Sequence, residues 1–265
     1  IFTVLEFSFK MKKVTIDQMY SIPIKRSKLY ITKYLIGLFE IIIPLTLSYI
    51  VMILMIVTNE HMFNLVYAIP HYFGVIFLTV ILYTTLVFIF TRCNSTVDGL
   101  INILLYTFVT CVIIVGLELR NGINYTIMSP LILFNNIIEF KTYGFIEYFN
   151  QKDITELIIS SIYNIVLCII MVILFFVFIK KEKAEASEGK TNSIFAYNLM
   201  IPLYTCFLVS TLLEESFTTA VIIIIASYLV YVIKNRSFKI TKKDWILFGI
   251  SVLLAFVLRI ILNIF

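Results

Sequence analysis

Long unbroken apolar runs, separated by short charged stretches, set the pattern of this 265-residue chain. A run such as VLCIIMVILFFVFI (Val166–Ile179) does not alternate apolar with polar positions. A membrane-spanning helix needs about 20 apolar residues and a barrel strand about 10 that alternate, so these runs predict helices. Seven full spans are expected, at about 34–57, 71–91, 97–118, 157–179, 198–213, 217–233 and 245–264. The two spans beside Glu214–Glu215 are short and read equally as one helical hairpin. Residues 1–9, IFTVLEFSF, read as the tail of a further span, so the chain is expected to start inside a helix.

Composition agrees with the pattern. Hydrophobic residues make up 61% of the chain and charged residues 14%, with a mean hydropathy of +1.01. A soluble domain is about half apolar and roughly one quarter charged. The polar surface is too small to cover a water-soluble globule, and the expected fold is an all-α polytopic membrane protein.

Basic residues orient it. Connections 10–33, 91–96, 180–197 and 234–244 together hold seventeen Lys and Arg, against three in 58–70, 119–156 and 214–216. Basic loops stay in the cytoplasm, so the first set is placed inside and the second outside. The net charge of +5 is explained by these loops, and no nucleic-acid partner is expected. The expected organisation is a span tail at 1–9, a cytoplasmic region at 10–33 and a core membrane domain at 34–179. A cytoplasmic loop at 180–197 and C-terminal membrane helices at 198–265 follow. Within the outer segment, Ser129 followed by Pro130 marks a helix start, but the apolar part that follows is too short to span. Residues 129–140 therefore read as a re-entrant or interfacial helix. The polar stretch Lys180–Ser193 is expected to be mobile.

Candidate chemistry is sparse. Cys93, Cys111, Cys168 and Cys206 form no CxxC and no Cys/His cluster, so neither a metal nor a cofactor is expected. Glu40 lies within the first full span, one turn before Pro44, and is a possible intramembrane polar site. Asp98, Glu118, Glu214 and Glu215 sit at span ends and read as wetted termini; Arg259 can snorkel. The pair Glu214–Glu215 lacks the following arginine and the partner histidines of an intramembrane glutamate protease. His61 and His71 fall near the outer face, and no HExxH occurs. Gly189–Thr191 reads GKT, but Ala184 stands where a phosphate loop needs glycine, so no catalytic residue is assigned.

One charged stretch stands out, IDQMYSIPIKRSKLYITKYL (Ile16–Leu35). Thr15 followed three residues later by Gln18 is a capping-box pattern that predicts a helix from about Ile16 to Tyr20 or Ser21. Pro23 disfavours helix at the residue before it, and Ser27 offers a second start. The stretch thus reads as a short helix with an apolar side, an elbow and a basic anchor. It resembles the region linking the second and third membrane helices of ABC-2 type transporter permeases of Gram-positive bacteria. FIKKEKAEASEGKTNSIFAYNLMIP and YVIKNRSFKITKKDWIL are similar to the C-terminal half of a long-permease branch of that family. The resemblance implies a type V exporter-like helix bundle in the bacterial cytoplasmic membrane. It also implies an ABC ATPase subunit as partner and a second permease copy, identical or paralogous. Asp17, Tyr20, Ser21, Pro23, Lys25 and Arg26 would then couple to the ATPase, with Tyr20 as apolar anchor. The alternatives are a secondary transporter, a membrane enzyme, and a sensor or scaffold in an envelope-stress system.

The basic-residue count predicts that Lys180–Lys190 is cytoplasmic and Asn150 external. Single cysteines in a background lacking native cysteines should therefore label from outside intact cells at 150 and not within 180–190; the opposite result would overturn the orientation.

Overall fold

The computed structural model describes residues 2–58, 65–109, 151–179, 187–212 and 217–264. Every regular element among them is helical. In chain order these are α1 (Phe2–Phe7), a 3₁₀ turn (Ser8–Met11), α2 (Lys13–Ser21), α3 (Arg26–Thr58) and α4 (Leu65–Thr91). Next come α5 (Thr96–Leu104) with a π turn (Leu105–Val109), α6 (Gln151–Ile179), and a π turn (Ile194–Asn198) leading into α7 (Leu199–Leu212). The last are α8 (Phe217–Asn235) and α9 (Lys242–Ile264). Four of the described helices contain stretches long and apolar enough to cross a membrane: Arg26–Met55, Tyr72–Thr91, Ile162–Ile179 and Thr218–Asn235. Thr96–Thr107 and Ile194–Ser210 are apolar but shorter. The re-entrant segment expected at 129–140, together with Glu118, Glu214, Glu215 and His61, lies outside the described residues.

The chain divides into two compact units. The first comprises 1–9, 17–88 and 126–182; the second comprises 10–16, 89–125 and 183–265.

In the first unit α3 and α4 run antiparallel. The Tyr34 and Thr84 hydroxyls meet at 2.7 Å near one end, and those of Thr46 and Tyr72 at 2.8 Å near the other. Tyr49 stacks on Tyr72 with ring centres 5.1 Å apart. Each pair adds to a similar residue sum, as an antiparallel register requires. Pro44 sits inside α3, where it has no N–H to offer the carbonyl of Glu40. Thr46 donates back to the carbonyl of Ile42 at 2.8 Å, a bond common beside helix irregularities in apolar surroundings.

An aromatic cluster closes one end of this unit. Tyr30 is fully buried against Phe7, Phe9 and Phe175, with ring centres 6.2, 5.6 and 6.2 Å away. Phe7 meets Phe175 edge-on at 6.1 Å. Such pairs are worth about 0.5–1.5 kcal/mol each beyond their area. They tie α1, α3 and α6 together.

The second unit packs α7 against α8 and α9. Cys206, Val209, Ala220 and Ala255 are buried where these helices touch, with Ile223, Ile224 and Leu258 around them. Alanines at the contact let the backbones approach, which is how apolar helices gain packing energy inside lipid. A second cluster joins Tyr197, Ile201 and Tyr231 to Ile101 and Phe248. The chain enters α7 through a break at Ala196 (φ −98°, ψ −129°). Gly99 is buried on α5, and a Cβ there would overlap the ring of Phe90.

Gly99→Ala should therefore cost about 1–3 kcal/mol, because a ring cannot bend aside as a flexible chain can. Thermal unfolding in detergent reads this, and Phe90→Leu in the same chain should recover part of the loss. An unchanged midpoint for Gly99→Ala would contradict the packing.

Candidate functional site

Three polar assemblies and one isolated carboxylate carry the chemistry of the described residues. The first assembly is the elbow between α2 and α3. The helix begins at Lys13, earlier than the capping pattern suggests. Thr15 therefore lies inside it, and its hydroxyl donates to the carbonyl of Lys12 at 3.0 Å. After Ser21 the chain bends through Ile22–Ile24, and α3 starts at Arg26 rather than at Ser27. The Lys25 carbonyl accepts from the N–H groups of Lys28 and Leu29, so Lys25 opens the new helix.

Asp17, Ser21, Pro23, Lys25 and Arg26 are exposed. Tyr20 is turned inward: the Arg26 guanidinium lies 4.5 Å over its ring, and its hydroxyl meets that of buried Tyr30 at 3.2 Å. The expected apolar anchor is thus a strut joining α2 to the aromatic cluster. The apolar surface the elbow does present comes from Ile22 and Ile24, 41% and 52% exposed.

The second assembly is centred on Asp98. Ser95 caps α5 by accepting the Asp98 N–H at 3.2 Å. The carboxylate expected at a wetted helix end is instead 4% exposed. One of its oxygens accepts from the Thr191 hydroxyl at 2.7 Å and the other from the Tyr197 hydroxyl at 3.0 Å. The Arg236 guanidinium stands 3.9 Å away. Arg236 also donates to the carbonyls of Glu188 (2.9 Å) and Gly189 (3.2 Å). Asn94 accepts the N–H of Glu188 on its carbonyl, donates its own N–H to Thr191, and bonds Lys190 through its side chain. Glu188 and Arg236 both adopt positive φ (61° and 51°), a strain that these bonds offset. Residues 187–193, expected to be mobile, are held in place by this web. The hydroxyl of Thr191 in the GKT sequence is consumed by Asp98.

A companion cluster fixes the α8–α9 turn. Asp244 accepts from Lys234 at 2.6 Å, Asn235 at 3.0 Å and Thr241 at 2.8 Å. Burial alone would raise its pKa, but these three donors and the Lys234 charge outweigh that and hold the carboxyl below its ordinary range. Burial also pushes the Cys93 thiol up to about 12, which leaves it protonated and unreactive at neutral pH.

Glu40 lies on α3, exposed, and no side chain pairs with it among the described residues. The described residues contain no group of three or more His, Cys, Asp or Glu that could hold a metal ion. Comparisons with protein families, curated proteins and solved structures find no match to this chain.

Sequence reasoning missed Asp98, Thr191, Tyr197 and Arg236 as a set. The S-x-x-D spacing at Ser95–Asp98 is the one local signal, and the partners are 93, 99 and 138 positions away, beyond any local pattern.

Asp98→Asn keeps the shape and removes the charge from at least two hydrogen bonds. It should cost about 2 kcal/mol or more, against about 1 kcal/mol for Thr191→Val. Both should raise cleavage by protease within Ser187–Ser193. If Asp98→Asn leaves that cleavage and the unfolding midpoint unchanged, the carboxylate is not the hub.

Proposed function

We propose that this chain is the permease subunit of an ABC exporter in a bacterial cytoplasmic membrane, with an ABC-2 type fold of seven full spans. It contributes no catalytic residue. A separate ATPase dimer binds and hydrolyses ATP, and two permease copies complete the transporter. No match to a known protein carries this reading; it rests on the resemblance of residues 16–35 and on the form of the elbow.

The observation that supports it most is mechanical. The elbow exposes a basic rim (Lys25, Arg26), an acid (Asp17) and an apolar tip (Ile22, Ile24). Behind that surface, Tyr20 bonds Tyr30, and Tyr30 is wedged among Phe7, Phe9 and Phe175. A push on the tip is therefore delivered to α3 and its aromatic seat rather than absorbed by a loose loop. On this reading Ile22 and Ile24 enter the ATPase groove, the charges form a rim, and Tyr20 transmits the displacement.

Buried apolar anchors dominate interfaces and rim charges contribute little. Ile22→Asp together with Ile24→Asp should weaken ATPase co-purification by about 2–4 kcal/mol, against about 0.5–1 kcal/mol for Lys25→Ala. Tyr20→Phe should leave association intact and lower the ATP hydrolysis that the permease stimulates in its complex. If the double Ile variant co-purifies at the wild-type level, the elbow is a plain membrane flank and the exporter reading loses its main support.

A further inference from the structure

We propose that Glu40 and Tyr83 form a site within the membrane-spanning part of the first unit for the ammonium group of a cationic amphiphile. Glu40 lies near the middle of the Arg26–Met55 apolar stretch, where a carboxylate without a partner is costly. Tyr83 is 3% exposed, yet its hydroxyl has no hydrogen-bond partner among the described residues. A buried phenol left unbonded costs about 1–3 kcal/mol. The two features adjoin. Gly37, one turn before Glu40, lets the Tyr83 hydroxyl press against α3; a Cβ at 37 would overlap that hydroxyl and lie 3.2 Å from Glu6 Cγ. The Glu6 and Glu40 carboxylates both bear electrostatically on the same hydroxyl.

The charge balance selects the ligand. Lys33 bonds Glu6 at 3.0 Å, so Glu6 is neutralised and Glu40 leaves the cluster with a net charge of −1. A divalent metal is a poor match, because it takes six or more oxygens and would sit beside the Lys33 ammonium. One ammonium group matches the charge. It donates to the Glu40 carboxylate and to the Tyr83 oxygen. Around Glu40, Ile36, Phe39 and Ile43 are 41%, 55% and 54% exposed, an apolar bed for the hydrocarbon body. The site stands apart from any ATPase contact and holds whether or not the exporter reading does.

The test is binding of dodecylammonium to the full chain in phosphatidylcholine nanodiscs, against empty discs as the partition blank. Wild type should show a saturable component that dodecanol lacks. Glu40→Gln should weaken it about tenfold or more, the size of one charge-assisted hydrogen bond. Tyr83→Phe removes a hydroxyl that bonds none of the described residues, so it should leave folding intact, and it should weaken binding roughly three- to tenfold. Dodecyltrimethylammonium, with no N–H to donate, should keep the dependence on Glu40 and lose that on Tyr83. Displacement of the probe by phosphatidylethanolamine assigns a lipid headgroup as occupant, and no displacement assigns an amphiphile from solution. Wild-type affinity in both variants, or equal binding of dodecanol, overturns the proposal. So does a Glu40→Gln variant whose only change is loss of self-association, which would give the carboxylate to a second chain.

Discussion

The carboxylate of Asp98 has little water to satisfy it, and the second unit is arranged around that requirement. Removing a carboxylate from water costs several kcal/mol unless donors replace the lost hydration. Thr191 and Tyr197 supply hydroxyl donors, and Arg236 supplies the opposite charge. Each comes from a different segment: a loop, the π turn before α7, and the turn after α8. Satisfying one side chain thus fixes three segments that local sequence leaves undetermined. The αL backbone of Glu188 and Arg236 is held by the same web. Strain in the connections and burial of the charge are two sides of one arrangement.

The first unit solves a different problem. Its helices are apolar on nearly all sides, so burying more apolar surface in lipid gains little, and specificity must come from shape and from a few polar pairs. Tyr34 with Thr84 and Thr46 with Tyr72 set the register of α3 on α4, while the rings around Tyr30 set the seat of α1 and α6. Tyrosine serves both ends, because its ring packs in the apolar interior and its hydroxyl can still reach a partner. On the proposed reading, that stiffness is what lets the elbow move α3 as a body.

Much of this was legible from the chain. Run length alone located α3, α4, α6, α7, α8 and α9 to within a few residues, except where polar ends such as Arg26–Lys33 and Gln151–Thr155 continue as helix beyond the apolar stretch. The bend at Pro23 followed from proline chemistry. Other features were illegible for identifiable reasons. Thr15 looks like a cap because its spacing to Gln18 is right, yet the 3₁₀ turn Ser8–Met11 feeds the helix from further upstream. Tyr20 reads as an apolar anchor because it lies on the apolar side of a short helix, and only the position of Tyr30 turns it inward. Asp98 looks like a helix end in water because nothing within ten residues announces the loop that covers it.

Asp98 and Glu40 make the sharpest contrast in the molecule. Both are carboxylates beside or within apolar helices, and sequence ranks Glu40 as the more suspicious. Asp98 is well served: each of its two oxygens has a hydroxyl donor and a guanidinium stands 3.9 Å away. Glu40 is the reverse: among the described residues no side chain pairs with it, the nearby Tyr83 phenol has no partner either, and its apolar flank is exposed. An unmet charge in a membrane helix is tolerated only if something meets it in use. Where the protein supplies the donors, the group is architecture; where the described residues supply none, the proposed ligand gives the charge its partner.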